Sequence, residues 1–262
     1  MYQDECECIP LHLGRLILKE GVYGFFIKHI VRPGIMSTIL EVAAKYNLTV
    51  LHIMNSGPAE PGSYAPFIVF YDFSRATVSP EEVKEAIERA IKNLVEVKII
   101  RPTLKGLTYD QCHFPLIFAG ERAIIIRATT LKAWLIKIRD KFGSGGEAFL
   151  FHEGFEMGSA IFEDYAQRRL KGRELWEALT AYLFSCGFAR NIDVRFEDSS
   201  IEVELLDSIE CSLVKGLNKC FSQWLRGILS GFASRYFNKT MYFHELKCVA
   251  KGDASCFFVT SI

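Results

Sequence analysis

The order of hydrophobic patterns between Val22 and Pro102 constrains this chain more than any other feature. Residues 22–27 (VYGFFI) are aromatic and β-branched, as in a buried strand. The Pro33-Gly34 turn follows, and then Ile35, Ile39, Leu40 and Ala43 recur at the spacing of one helical face. Residues 48–54 and 67–73 read as strands on either side of a Pro/Gly-rich loop at 55–66. Ser79-Pro80-Glu81-Glu82 supplies an N-cap, a proline at the first helical position and a capping-box glutamate, so a helix is predicted over 80–94. Residues 95–100 form a fourth strand before Pro102. The sequence βαββαβ folds by connection rules into a four-stranded antiparallel sheet with both helices on one face.

The turn and helix in RPGIMSTILEVAAKYNLTVLHI at 32–53 give this ferredoxin-like region a resemblance to ACT regulatory domains. The resemblance implies a small effector, often an amino acid, bound at the first turn with Arg32 and Gly34. Glycine permits close backbone approach there, and a helix N-terminus offers unpaired N–H groups to a carboxylate.

The 262 residues suffice for two such domains. The expected division is an N-terminal extension at 1–21, the ACT-like domain at 22–102, a linker at 103–114 and a second α+β domain at 115–262. In the second domain we expect a strand at 123–128, a helix at 131–141, a glycine break at 143–146, and helices at 148–169, 174–184 and 218–237. Strands are expected at 193–197, 201–206, 241–248 and 255–260. Gly154 and Gly158 lie on one helical face, as do Gly227, Gly231 and Ser234, which predicts close approach of a helix or ligand.

Equal numbers of Lys+Arg and Asp+Glu, 31 each, argue against direct nucleic-acid binding through a broad basic surface. No apolar run approaches the ~20 residues of a membrane span, and MYQDECECIP lacks the features of a signal peptide, so the expected location is cytoplasmic. In a reducing compartment, clustered cysteines point to metal or free thiols.

The clearest cluster is HELKCVAKGDASCFF at 244–258, with Glu245, Cys248 and Cys256 in a Glu-x2-Cys-x7-Cys spacing across a hairpin. Two thiolates and a carboxylate make three corners of a zinc tetrahedron. Cys220, ahead of the hairpin, is the first candidate for the fourth, with Cys211 and His244 behind it. His244 neighbours Glu245 on a strand and should face the other way. Cys6 and Cys8 remain unassigned.

Residues 115–262 resemble the 4-vinyl reductase-like domain in three places: FHEGFEMG at 151–158, WLRGILSGFAS at 224–234, and the terminal Glu-x2-Cys-x7-Cys with its internal Gly-Asp. Phenol-sensing bacterial activators carry this domain, and there the Glu and two Cys bind a structural zinc with an upstream cysteine. The resemblance therefore implies zinc at Glu245, Cys248 and Cys256. The family's upstream cysteine falls on Ser222 here, two residues after Cys220. It also implies the α/β fold of NO-signalling and Golgi-transport proteins, with an apolar pocket for a small apolar or aromatic ligand. Phe151, Phe155, Tyr165, Trp224 and Phe232 are the candidate lining.

The chain has no G-x-G-x-x-G after a strand, no P-loop, no H-E-x-x-H and no G-x-S-x-G. His152 and Glu153 are adjacent on a helix and do not face each other. The expectation is thus a non-catalytic small-molecule sensor, a homodimer signalling through a protein partner. The alternative is an assembly or trafficking-like adaptor that dimerises through the C-terminal domain; a reductase ranks below both.

Overall fold

A computed structural model describes residues 8–57, 60–214 and 216–262. They form two compact units that divide after Ile124.

The first unit contains β1 (Leu16–Ile17), β2 (Val22–Ile30), α1 (Ile35–Lys45), β3 (Thr49–Asn55), β4 (Tyr64–Asp72), α2 (Pro80–Ala90), β5 (Leu94–Ile100), β6 (Thr108–Tyr109), β7 (Leu116–Phe118) and β8 (Glu121–Ala123). The main sheet runs β3-β4-β2-β5, antiparallel throughout, which is the arrangement expected from the βαββαβ order. Alternation along β4 separates its two faces. Phe67, Val69 and Tyr71 pack with Ile35, Ile39, Val83 and Ile87 of the helices, whereas Ile68 and Phe70 pack with Ile17, Val22 and Ile100 on the opposite face.

Ser79 caps α2 as its sequence requires: its hydroxyl accepts from the Glu82 N–H, and the Glu82 carboxylate accepts from the Ser79 N–H. The helix stops at Ala90 instead of 94, because Ile91 is already extended and Asn93 turns left-handed. β4 begins three residues earlier than expected, with Tyr64, Ala65 and Pro66 paired to Ile30, His29 and Lys28. Beyond the sheet, buried Asp110 holds the segment after β6. It accepts from the Cys112 and His113 N–H groups, meets His113 Nδ1 at 3.0 Å and lies 3.4 Å from Arg15 Nε.

The second unit contains α3 (Ala128–Phe142), α4 (Ser144–Gln167), α5 (Arg173–Ser185), β9 (Asn191–Phe196), β10 (Ser200–Leu206), α6 (Ile209–Ser212), α7 (Gln223–Phe237), β11 (His244–Lys247), a 3-10 turn (Val249–Lys251) and β12 (Cys256–Ser261). Its antiparallel sheet has the order β11-β12-β10-β9. Three expectations are corrected. Residues 123–128 are not a strand, since β8 ends at Ala123 and α3 begins at Ala128. The glycine break is one residue: Gly143 carries a positive φ, and Gly145 and Gly146 already belong to α4. The helix expected from 218 starts at Gln223.

α4 and α7 lie backbone to backbone. A Cβ on Gly154 would fall on the Trp224 carbonyl oxygen, and one on Gly158 on that of Ile228; Gly227 and Gly231 meet the Phe151 and Phe155 carbonyls in the same way. All four collisions lie inside 3.0 Å and involve backbone, which cannot swing aside. The glycines therefore serve a close helix crossing. Gly158→Ala is expected to destabilise this unit by about 3 kcal/mol, the upper range of overpacking costs. Denaturant unfolding of the variant checks this, and a loss below about 0.5 kcal/mol would mean that the helices part freely.

Candidate metal centre

α6 is too short to be stable alone, and its position is set by one buried carboxylate. Glu210 is fully buried. Its Oε1 accepts from Arg139 Nη2 (2.7 Å) and the Trp224 N–H (3.1 Å), and its Oε2 accepts from the Leu225 N–H (2.9 Å). Those amides are the second and third of α7, so Glu210 caps that helix from outside its own sequence. Arg139 also donates to the Phe221 carbonyl (2.7 Å) and lies 3.7 Å over the Phe221 ring. Burial pushes the Glu210 carboxyl up, while Arg139 and the two amides pull it back. Together these contacts place Cys211 beside Ser222, the residue that precedes α7.

The hairpin supplies the rest. Glu245 on β11 is half-buried, with Oε1 accepting from the Ser222 hydroxyl (2.6 Å) and Oε2 from the Ser222 N–H (3.1 Å). Cys248 follows β11, and its N–H donates to Asp253 Oδ2 (2.7 Å) in the Gly-Asp turn. Cys256 opens β12, and its sulfur accepts from the Val249 N–H (3.5 Å). Cys211 Sγ lies 3.5 Å from Cys248 Sγ and 2.8 Å from Ser222 Oγ, which is itself 3.7 Å from Cys256 Sγ.

One ligand atom from each of Cys211, Glu245, Cys248 and Cys256 lies within 4.8 Å of all the others, and the three thiols have no solvent exposure. Thiolates bound to zinc at about 2.3 Å sit about 3.8 Å apart at tetrahedral corners, so these spacings suit such an ion with small shifts. The four residues form a Cys3Glu cluster that could hold a metal ion.

The protonation pattern follows from crowding four acids in a dry site. Hydrogen bonds from Cys211 and then Cys256 stabilise a thiolate on Cys248 and hold its pKa far down. Cys211 is correspondingly pushed far up, by its bonds to Cys248 and Cys256 and then by burial. At Cys256 the bond from Cys211 pulls down, but the bond with Cys248 and burial outweigh it and leave the thiol at about 12. Burial pushes Glu245 up to about 8. Without metal, Glu245 thus binds a proton in the folded state between pH ~4.5 and ~8 that the unfolded chain has released. By linkage, stability of the metal-free protein falls as pH rises through that window. Thermal unfolding in chelator should show Tm dropping from pH 5 to pH 8, with a flatter profile in Glu245→Gln.

Sequence reasoning placed three of these four residues in one site. The fourth corner is Cys211, not Cys220. Residues 218–222 are not helical, and the half-buried Cys220 thiol instead faces the backbone carbonyl of Glu245 (3.4 Å). His244 is exposed while Glu245 turns inward, as strand alternation requires. Ser222 sits among the four ligands, at the position matched to the family's cysteine. Reasoning from sequence did not single out Glu210 and Arg139, which lie 71 residues apart.

The five candidate pocket residues are not gathered around one cavity. Phe232 is fully buried against Trp176 and Phe162, with ring centroids at 5.0 and 5.4 Å. Trp224 packs on Trp134 and Phe188, and Phe151 on Phe155 and Tyr242 with Arg226 over its face. Half-buried Tyr165 packs against the main core of the unit. These rings fill the interior. A cavity of about 470 Å³ opens elsewhere in the unit, lined by Lys132, Ile136, Ser212, Leu213, Val214 and Leu217.

In the first unit, Arg32 and Gly34 border a cavity of about 450 Å³ together with His29, Ser37, Asn55 and Phe67. Gly34 has φ of 90°, a left-handed conformation that favours glycine, and α1 begins there with no side-chain cap and no acidic residue in its first turn. His152 and Glu153 are both exposed, as is Cys8. Cys6 lies outside the described residues. Among the described residues no helix is long and apolar enough to cross a membrane.

An α+β unit closing on a buried Cys3Glu cluster defines the class of structure. Residues 201–262, which span β10 to β12 and include every residue of the cluster, match the family model of the 4-vinyl reductase domain. No curated protein matches the chain in sequence. Three solved structures are similar. The phenol-responsive sensory domain of the transcription activator PoxR, solved with phenol, is 19% identical over 55% of this chain and 79% of its own, with a TM-score of 0.49. A vinyl-4-reductase family protein from Methanocaldococcus jannaschii is 18% identical over 53% and 84%, with a TM-score of 0.42. Trafficking protein particle complex subunit 3 from Naegleria fowleri, covalently bound to palmitic acid, is 11% identical over 51% and 91%, with a TM-score of 0.37.

Proposed function

We propose that this chain is a non-enzymatic small-molecule sensor whose second unit, the one that matches the 4-vinyl reductase domain, is stabilised by a zinc ion held by Cys211, Glu245, Cys248 and Cys256. The observation that carries the metal reading is the convergence of three fully buried thiols and one carboxylate within 4.8 Å. Such a soft donor set suits zinc, and four protein ligands complete its tetrahedron and leave no corner for a reacting water. The ion's part is then structural: it ties α6 and the β11–β12 hairpin together. Ligand binding is assigned to the first unit, where the cavity at Arg32 and Gly34 combines the uncapped N-terminus of α1 with a guanidinium. That chemistry suits the carboxylate of an amino-acid effector. We assign the output to a homodimer that contacts a protein partner.

Titration calorimetry of the metal-loaded chain against the common amino acids tests the effector reading. One should bind, and Arg32→Ala should weaken it by at least about 10-fold, the loss of one charge-assisted contact. An amino acid that binds equally well to Arg32→Ala, or no binding at all, would remove this cavity from the account.

A further inference from the structure

The residue nearest to all four cluster members is itself not one of them. Ser222 is fully buried and occupies the N-cap position of α7, yet its hydroxyl does not cap that helix; Glu210 does so instead. The Ser222 side chain is turned toward the cluster, 2.6 Å from Glu245 Oε1, 2.8 Å from Cys211 Sγ and 3.7 Å from Cys256 Sγ. Its N–H meanwhile donates to Glu245 Oε2 at 3.1 Å. Both oxygens of the carboxylate are thus held by one residue, which sets the plane and direction of a flexible side chain. The hydroxyl oxygen also lies so close to the Cys211 sulfur that a thiol at position 222 would reach the same region of the site.

We infer that Ser222 is the positioning residue of this metal centre, orienting Glu245 and Cys211 toward the ion, and that position 222 is a second place from which a thiolate can complete the site. This rests on the metal reading above. Groups that orient metal ligands commonly account for 10- to 100-fold in affinity, and a carboxylate depends on them more than a thiolate, because it can rotate out of a useful direction. Cys211 comes from a four-residue helix, whereas position 222 adjoins the long helix α7. Two different backbone segments therefore converge on one corner of the tetrahedron.

Zinc competition against a chromophoric chelator and cobalt(II) absorption, both on the full chain, test this. Ser222→Ala should bind zinc about 10- to 100-fold more weakly. Its thiolate-to-cobalt charge-transfer band should keep wild-type intensity, since all three sulfurs remain. Ser222→Thr, which keeps the hydroxyl, should recover most of the affinity. Cys211→Ser should lose one thiolate's share of the band, and the double variant Cys211→Ser with Ser222→Cys should regain it. Equal zinc affinity in wild type and Ser222→Ala would overturn the positioning role. A double variant no better than Cys211→Ser would overturn the second thiolate position. Failure of the wild type itself to bind zinc or cobalt would overturn the metal reading, a separate result from either.

Discussion

Arg139→Met is expected to destabilise the second unit by about 3–5 kcal/mol, the cost of leaving a buried charge without its partner. The Arg139 and Glu210 side chains are 9% and 0% exposed, and their 2.7 Å pair is joined by two amides of α7 and the Phe221 carbonyl. Removing the guanidinium leaves Glu210 buried with amide donors alone, so it must take up a proton or draw water into the core. Removing the carboxylate as well should undo much of the damage. Arg139→Met with Glu210→Leu should be closer to wild type than Arg139→Met alone, because a hydrophobic pair of similar bulk replaces the ion pair. The zinc affinity of the double variant should nevertheless be reduced, since Cys211 loses the anchor of its helix. Chemical denaturation of the metal-free proteins measures the first effect. A loss below about 1 kcal/mol for Arg139→Met would show that the pair contributes no more than an exposed one.

Chelation of the metal is the second large effect. Binding energy of a structural zinc is folding energy, and apparent values of about 10–16 kcal/mol are known for small zinc domains at neutral pH. This unit also has an apolar core, in which Trp176, Phe232, Phe243 and Phe258 are fully buried, so it should not unfold wholly when metal is withdrawn. The expected outcome is a fall in Tm by more than about 10 °C with α6 and the hairpin losing amide protection first. Cys248→Ser should behave like the chelated wild type and show no further response to chelator. A Tm that is the same with and without chelator in the wild type would remove the metal from the stability of this fold.

The elements that the sequence made legible are those whose stabilising partners lie close by along the chain. The α2 capping box joins residues three apart, and the Gly-Asp turn brings Cys248 and Cys256 together by a local hairpin. The paired glycines of α4 and α7 were legible as small faces, since only close approach explains so many in helix interiors. Cys211 was harder to place. Its helix spans four residues, fewer than two turns, and leaves no periodicity to read. Its position depends on a carboxylate whose partner is Arg139 on α3. The start of α7 was misplaced for the same reason: its cap is Glu210, thirteen residues before the first helical position, and no local motif marks it. The aromatic residues of α4 and α7 failed in another way. Rings at helical spacing announce burial, and the same spacing serves a packed core and a cavity wall alike.

The central claim is that Cys211, Glu245, Cys248 and Cys256 hold one zinc ion. Metal content of the untagged full chain, purified without added metal, tests it most directly, with Cys211→Ser and Cys220→Ser measured alongside. The account predicts about one zinc per chain in the wild type and in Cys220→Ser, and a marked loss in Cys211→Ser, because three thiolates become two. Retention of zinc by Cys211→Ser with its loss in Cys220→Ser, or no metal in any of the three proteins, would contradict it.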